Sequence, residues 1–397
     1  MKRLISPLLL TLSLLFISCG GGGGGDTSAL TSETFSSSEN AFVNDLFHTE
    51  YLWFDEVTDV DYNDYDTPQS LIDALKVSQD KWSFSLTKQE YEDMVNQKTA
   101  GFGFGYTDGF QLYLVRIDSP AWGKLLRGDI IREINGEVVS NDNIAAASQN
   151  LNVATTFTVD RLGTEENIVI TPREYTFKVT QGKILNGNIG YLRYDSFTGT
   201  SVDEYEAEFT VFNDKNISEL IIDLRYNGGG SVDTTSALID NIINIYPGEK
   251  QMYLDWNANY QNKNTNYSFE TADLQDGNEL NMKRVIFLVT KNSASASEAL
   301  INALVPYLGA SNVVTIGEAT HGKPVGMSGK KYGSNIYFLI NFFVNNNNDT
   351  ATSFDGIPPT CLAQDDLSKL RGTQDEVMLN VAIQFITKNK IGQSVCP

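Results

Sequence analysis

Leu220-Ile221-Ile222-Asp223-Leu224-Arg225-Tyr226-Asn227-Gly228-Gly229-Gly230 is an apolar run that breaks into three consecutive glycines. The run reads as a buried strand, and the glycines either turn the chain or present backbone N–H groups to an anion. Outward from it, apolar strands are expected over Ile189–Leu192, Arg284–Thr290, Val313–Ile316 and Ile336–Phe343. Helices are expected over Val202–Phe212, Val232–Ile245, Ser297–Leu308 and Gln374–Thr387. Strands alternating with helices define an α/β domain over residues 176–397. Within it, Pro247 to Met282 is polar and Asn-rich without clear period, which suggests a hairpin or a mobile loop.

The residues ahead of this domain carry different patterns. From residue 40 to 98, aromatic-bearing helical stretches (Ala41–Trp53, Pro68–Leu75, Lys88–Met94) alternate with acidic turns, giving a small helical region in which Trp53, Trp82 and Phe84 serve as core anchors. Residues 99–175 hold short strands separated by turn residues, at Phe110–Ile117, Ile130–Ile134, Phe157–Leu162 and Asn167–Ile170. Ala121–Leu126 fits one helical turn or two. The fold class is therefore α+β and multidomain.

Two further stretches of the last domain go beyond scaffold. Val285 to Thr290 leads into Ser293-Ala294-Ser295-Ala296-Ser297-Glu298 and an apolar helix, so a hydroxyl is lifted out at a helix N-terminus that favours negative charge. Plain helix capping by the serines and Glu298 explains the same residues, and Ser297 suits that role. Val313 to Ile316 leads into Gly317-Glu318-Ala319-Thr320-His321-Gly322-Lys323-Pro324. This nearly matches a phosphate loop, but Pro324 stands where a magnesium-binding Ser or Thr is required and Val325 to Gly333 is no helix, which argues against a nucleotide. A lone Lys323 would be read as a solvated surface charge.

In combination and in this order, "DLRYNGG", "SASASE" and "GEATHGK" resemble the carboxyl-terminal processing peptidases, also called tail-specific proteases. The resemblance spans roughly residues 40–390, and Gly356-Ile357-Pro358-Pro359 looks like a further strand of that family. It implies a core of the ClpP/crotonase type, a nucleophile at Ser295, Lys323 as general base, and an oxyanion hole from the N–H of Ala296 with that of Gly228 or Gly229. Independently of resemblance, a lysine serves as base only where burial brings its pKa toward neutrality. The residues depart from the family in two places. Met327 replaces a lysine-orienting Gln four positions after Lys323, and His321 replaces an aromatic residue two positions before it, so a relay through His321 is conceivable. A histidine triad would have to use His321 or His48, and the chain has no G-x-S-x-G elbow.

Asp118-Ser119-Pro120-Ala121 followed by Gly128-Asp129-Ile130-Ile131-Arg132-Glu133-Ile134-Asn135-Gly136 resembles a PDZ domain. That implies capture of a peptide's terminal carboxylate by the glycine loop at Gly103, Phe104 and Gly105, while the peptide adds as a strand. A glycine turn without ligand is the plainer reading. The implied partners are polypeptides with accessible C-termini. The rival readings are a non-catalytic peptide-binding lipoprotein and a crotonase-like hydrolase of small acyl substrates.

The chain of 397 residues carries a formal charge of −21, which disfavours nucleic acid as a partner. Lys2 and Arg3 precede an apolar run, Leu4 to Ile17, too short to span a membrane and read as a secretory signal over residues 1–18. Phe16-Ile17-Ser18-Cys19 resembles a bacterial lipobox with Phe where Leu is usual, so Cys19 is expected to carry a lipid anchor. Residues 19–39, with six glycines and a polar stretch, read as a flexible tether. The expected location is membrane-anchored, facing the periplasm or the cell surface. Cys361 and Cys396 are free to pair in an oxidising compartment. With only His48 and His321 available, neither a metal site nor a cofactor is expected.

Overall fold

The computed structural model describes residues 39–390 and Cys396. The expected signal peptide, the lipid anchor at Cys19 and the tether up to residue 38 lie outside the described residues. The described chain divides into two compact units. One comprises Gln97–Lys178 with Asp366–Glu376; the other holds the residues up to Asn96, Val179–Asp365 and Val377 onward.

The larger unit is built on a six-stranded sheet in the order Thr180–Leu185, Ile189–Tyr194, Glu219–Asp223, Val285–Val289, Val313–Gly317, Cys361–Leu362. Its first pair is antiparallel and the rest run parallel. Every residue of Glu219–Asp223, Val285–Val289 and Val313–Gly317 is buried, as an apolar strand covered on both faces requires. Ile221, Ile286, Leu288, Val314 and Ile316 pack against Met378, Leu379, Ala382 and Ile386 of the helix Val377–Lys390. Alternate side chains such as Ile222 and Phe287 point to the opposite face. The helix Val232–Ile242 lies against the helix Ala296–Leu308, which runs beside the strand Val313–Gly317. A disulfide joins Cys361, on the outer strand, to Cys396.

A second sheet of this unit is organised around the long strand Asn335–Asn346. Val325–Tyr332 pairs along one of its edges, beginning two residues after Lys323. The other edge takes Phe84–Thr87 at one end and Lys250–Trp256 at the other. The Asn-rich insertion is therefore a hairpin, Lys250–Trp256 paired with Thr265–Ser268. The helix Glu39–Thr49 buries Phe42, Val43, Leu46 and Phe47, and the helix Pro68–Leu75 starts at a Thr67/Ser70 capping box. Both belong to this unit rather than to a body of their own. Leu52 N–H donates to the Ile340 carbonyl at 2.8 Å, and Ile340 N–H donates to Ser83 Oγ at 3.1 Å.

The smaller unit contains a four-stranded antiparallel sheet, Glu137–Val138, Ile130–Ile134, Thr155–Arg161 and Thr164–Ile170, closed over a core of Phe102, Leu112, Ile131, Ile134, Ile144 and Phe157. Two further strand pairs, Lys98–Gly101 with Arg173–Thr176 and Phe104–Tyr106 with Leu112–Val115, complete it. The helix Asn141–Gln149, capped by Ser140, was not evident from its polar composition; of its residues only Ile144 is fully buried. Ala121–Leu126 forms turns rather than a regular helix. Gly103 has φ +86°, and a Cβ there would stand 2.2 Å from Ser119 Cβ, so only glycine fits between these segments.

Candidate active site

The loop after Glu219–Asp223 is fixed from beneath. Arg225, fully buried, donates to both oxygens of Asp223 and at 2.7 Å to Asp365, while Tyr191 donates to Asp223 at 2.6 Å. Asn227 then ties this loop to the serine-rich turn. Its carbonyl accepts from Ala294 N–H at 3.1 Å and Ser297 Oγ at 2.9 Å, and Ser293 Oγ donates to the Leu224 carbonyl at 2.9 Å. The serines flanking Ser295 thus hold two loops together, and the middle one is left half-buried.

Ser295 itself has φ 57° and ψ −114°, a backbone conformation that costs a non-glycine residue about 1–3 kcal/mol and persists only where its surroundings impose it. It immediately precedes the helix Ala296–Leu308, so its hydroxyl stands at the positive end of the helix dipole. A Cβ at Gly229 would lie 2.9 Å from both Ser295 Cβ and Ala296 N, which places the glycine backbone against the serine. The N–H of Gly229 donates to Asn227 Oδ1 at 2.9 Å and is committed. Among the described residues no such bond engages the N–H of Gly228 or of Ala296.

The lysine loop reaches the serine turn through one carboxylate. Glu298 is fully buried; its Oε2 accepts from Ser295 N–H and from Lys323 N–H, each at 2.9 Å. Two such bonds to a single atom leave the backbone nitrogens of residues 295 and 323 at most 5.8 Å apart. The second oxygen, Oε1, accepts from Gly322 N–H at 2.7 Å and Thr320 Oγ1 at 2.6 Å. His321 N–H adds a bond to the Ser293 carbonyl at 2.9 Å. Read in the sequence as a helix-capping residue, Glu298 does cap, and the same carboxylate also fastens Lys323 to the serine turn.

Lys323 is 2 % exposed, and among the described residues its Nζ has no hydrogen-bond or ion-pair partner. Burial pushes its pKa down to about 8, against the opposing pull of the Asp80 and Glu298 charges. The amine lies 5.9 Å from the centroid of the Trp82 ring. Trp82 Nε1–H donates to His321 Nε2 at 3.2 Å, so the imidazole proton sits on Nδ1, which faces the Lys291 carbonyl at 3.3 Å. Both ring nitrogens of His321 are engaged away from the lysine. His48 bonds to Asp59 and the Asn44 carbonyl instead. Met327 is buried in the strand Val325–Tyr332.

The structure therefore gathers Ser295, Ala296, Gly228, Gly229 and Lys323 in one place. Gly103, Phe104 and Gly105 belong to the other unit, where Phe104–Tyr106 is a strand. Asp80 and Trp82 escaped the sequence reading as site residues: nothing local marks them, and Trp82 resembles any core aromatic. Among the described residues no group of three or more His, Cys, Asp or Glu is arranged to hold a metal ion.

The profile of Peptidase family S41 matches residues 188–362, and that of the Peptidase S41 N-terminal domain matches residues 38–84. A carboxy-terminal-processing protease of Bartonella bacilliformis is 26% identical over 252 residues, covering 59% of this chain and 56% of the relative. The chain thus spans little more than half the length of that relative. A solved structure of a candidate S41 protease from Bacteroides fragilis NCTC 9343 superposes with a TM-score of 0.74 at 22% identity, over 88% of this chain and 97% of the other. The two matched profiles cover both the helical segment that carries Asp80 and the sheet that carries Ser295 and Lys323, and on that footing the chain belongs to peptidase family S41.

Proposed function

We propose that this protein is a serine endopeptidase in which Ser295 is the nucleophile and Lys323 the general base. In the acylation step, Ser295 Oγ bonds to the scissile carbonyl carbon while its proton passes to neutral Lys323 Nζ. The resulting oxyanion faces the N–H groups of Ala296 and Gly228. Collapse expels the amine, which takes the proton back from Lys323, and leaves an acyl-enzyme that water hydrolyses by the same relay. The observation that carries this reading is the shared Glu298 Oε2, which fastens a strained serine beside a buried lysine whose pKa is pushed down to about 8.

Substrates are polypeptides presented by their C-termini, taken up by a PDZ-like unit at Gly103, Phe104 and Gly105; the paired strand Phe104–Tyr106 and the glycine-dependent turn before it support this assignment. The protein is exported and anchored through a lipid on Cys19, as the sequence of its first residues suggests. Covalent labelling by a fluorophosphonate tests the chemistry: Ser295→Ala and Lys323→Ala both abolish labelling if the proposal holds. Undiminished labelling of Lys323→Ala overturns it. Mass spectrometry of membrane-fraction polypeptides whose C-termini change on Ser295→Ala replacement tests the substrate class.

A further inference from the structure

The Lys323 amine is buried and has no polar partner among the described residues. A flexible four-carbon side chain so placed must be oriented by packing and by charge, or not at all. The groups that act on it come from two elements: Glu298 lies on the helix Ala296–Leu308, and Asp80 and Trp82 on the segment leading into the strand Phe84–Thr87. His321, on the loop before Lys323, touches Trp82 and acts only through it.

We infer that Asp80 and Trp82 are the positioning residues for Lys323, Trp82 as a ring wall that keeps water from the amine and Asp80 as its fixed counter-charge, with His321 holding the ring in place. This inference rests on Lys323 being the base proposed above.

The geometry is specific at each point. Asp80 is 2 % exposed, and its carboxylate is saturated: Oδ1 accepts from the N–H groups of Trp82 at 2.8 Å and Ser83 at 2.9 Å, and Oδ2 accepts from the hydroxyls of Tyr51 and Ser83. A carboxylate held by four donors is fixed in place and does not swing to pair with the lysine. Its charge acts on the amine at a distance without capturing it, so the amine remains available to the serine. The Trp82 ring is pinned from both sides: by the indole N–H bond to His321, and by stacking at 6.3 Å on Phe354. An indole N–H only donates, so the contact requires neutral His321 with the Nε2 lone pair free.

Asp80→Asn is the isosteric probe. The two N–H donors on Oδ1 can stay on the amide oxygen, while the Tyr51 and Ser83 hydroxyls can accept from the new NH₂ but lose the acceptor for their own hydrogens. The charge is lost, the shape is kept, and some stability is given up, which the labelling midpoint does not read. The readout is the fluorophosphonate labelling rate against pH, whose acidic limb reports the protonation of Lys323. Asp80→Asn removes a charge that favours the protonated amine, so the midpoint of that limb falls by about one pH unit. Trp82→Ala admits water, relieves the burial penalty, and moves the midpoint upward by a similar amount. A merely structural role would lower the rate without moving the midpoint in opposite directions.

His321→Gln returns an acceptor to the indole and is expected to keep several times the labelling rate of His321→Phe. These two variants retain the question if Trp82→Ala fails to fold. Midpoints unmoved in both Asp80→Asn and Trp82→Ala, or equal rates for the two His321 variants, overturn the inference while leaving the dyad intact. Undiminished labelling of Lys323→Ala removes the dyad and this inference with it.

Discussion

Glu298 offers the sharpest test of how the site is held together. Its carboxylate accepts from three backbone N–H groups, those of Ser295, Gly322 and Lys323, and from the Thr320 hydroxyl, all without solvent contact on the glutamate. Glu298→Ala strands the three N–H groups, at about 1–3 kcal/mol each. Entry of water into the vacated space favours the lower end, so the loss of unfolding free energy is expected near 4 kcal/mol, in the range that marks a broken buried network. Glu298→Gln is milder. Its amide oxygen can keep the Ser295 and Lys323 bonds, and its NH₂ can donate to Thr320, leaving the Gly322 N–H and the Thr320 hydroxyl hydrogen without their acceptor, the first at about 1–3 kcal/mol and the second less, since a hydroxyl can rotate. Urea unfolding reads the stabilities. Fluorophosphonate labelling reads the alignment, and the alanine variant is expected to lose roughly 100-fold or more, as misplacement of a catalytic pair by about 1 Å does. The glutamine variant should keep measurable labelling with the midpoint of its acidic limb below about 8, because one charge that raises the lysine pKa is gone. An alanine variant within 1 kcal/mol of the parent in stability, labelling at the parental rate, would refute the bridging role.

Two other outcomes follow from named groups. Lys323 titrates lower in the folded state, at about 8, than its ordinary value of 10.5, so the unfolded chain binds more protons between those values. Stability of the parent protein rises with pH across that window and carries the full penalty below it. Lys323→Met should therefore abolish labelling yet raise unfolding free energy at pH 7, by roughly 2–3 kcal/mol, with the gain shrinking toward pH 10.5 when urea curves are compared. Loss of the Cys361–Cys396 bond, which closes a separation of 35 residues, should cost about 3–4 kcal/mol in the chain-entropy account; urea midpoints with and without a reductant would show it.

The parts of the site that could be read from sequence are those made by short local segments. A buried strand breaking into Gly228-Gly229-Gly230, a small-residue turn before an apolar helix, and a glycine-lysine turn after a strand each carry their own pattern, and the structure joins them. The strand Val325–Tyr332 carried none, because its glycines disguise it. A Cβ at Gly326 would lie 2.1 Å from the Phe342 ring, and one at Gly329 would lie 2.7 Å from the Phe338 ring, so each glycine marks an aromatic side chain laid across the strand. Propensity sees two helix- and strand-breakers where the packing needs two vacancies. The Asn-rich insertion was read as a hairpin or a mobile loop, and the pairing of Lys250–Trp256 with Thr265–Ser268 decides for the hairpin.

Asp80 and Trp82 lay beyond such reading for a different reason: they reach the lysine only through the register of a sheet. Phe84–Thr87 pairs with Asn335–Phe338, and Val325–Tyr332 pairs along the opposite edge of that same long strand. One strand thus sets the position of both Trp82, two residues before its first neighbour, and Lys323, two residues before its second. A slip of one residue on either edge would invert the faces that the flanking segments present and part the ring from the amine. The bonds from Leu52 N–H to Ile340 and from Ile340 N–H to Ser83 oppose such a slip on the Trp82 side; on the lysine side, Glu298 does so by holding Lys323 N–H. The helical segment ahead of the smaller unit is therefore part of the wall and the charge field of the site, which is why a residue 243 positions upstream can tune the basicity of Lys323.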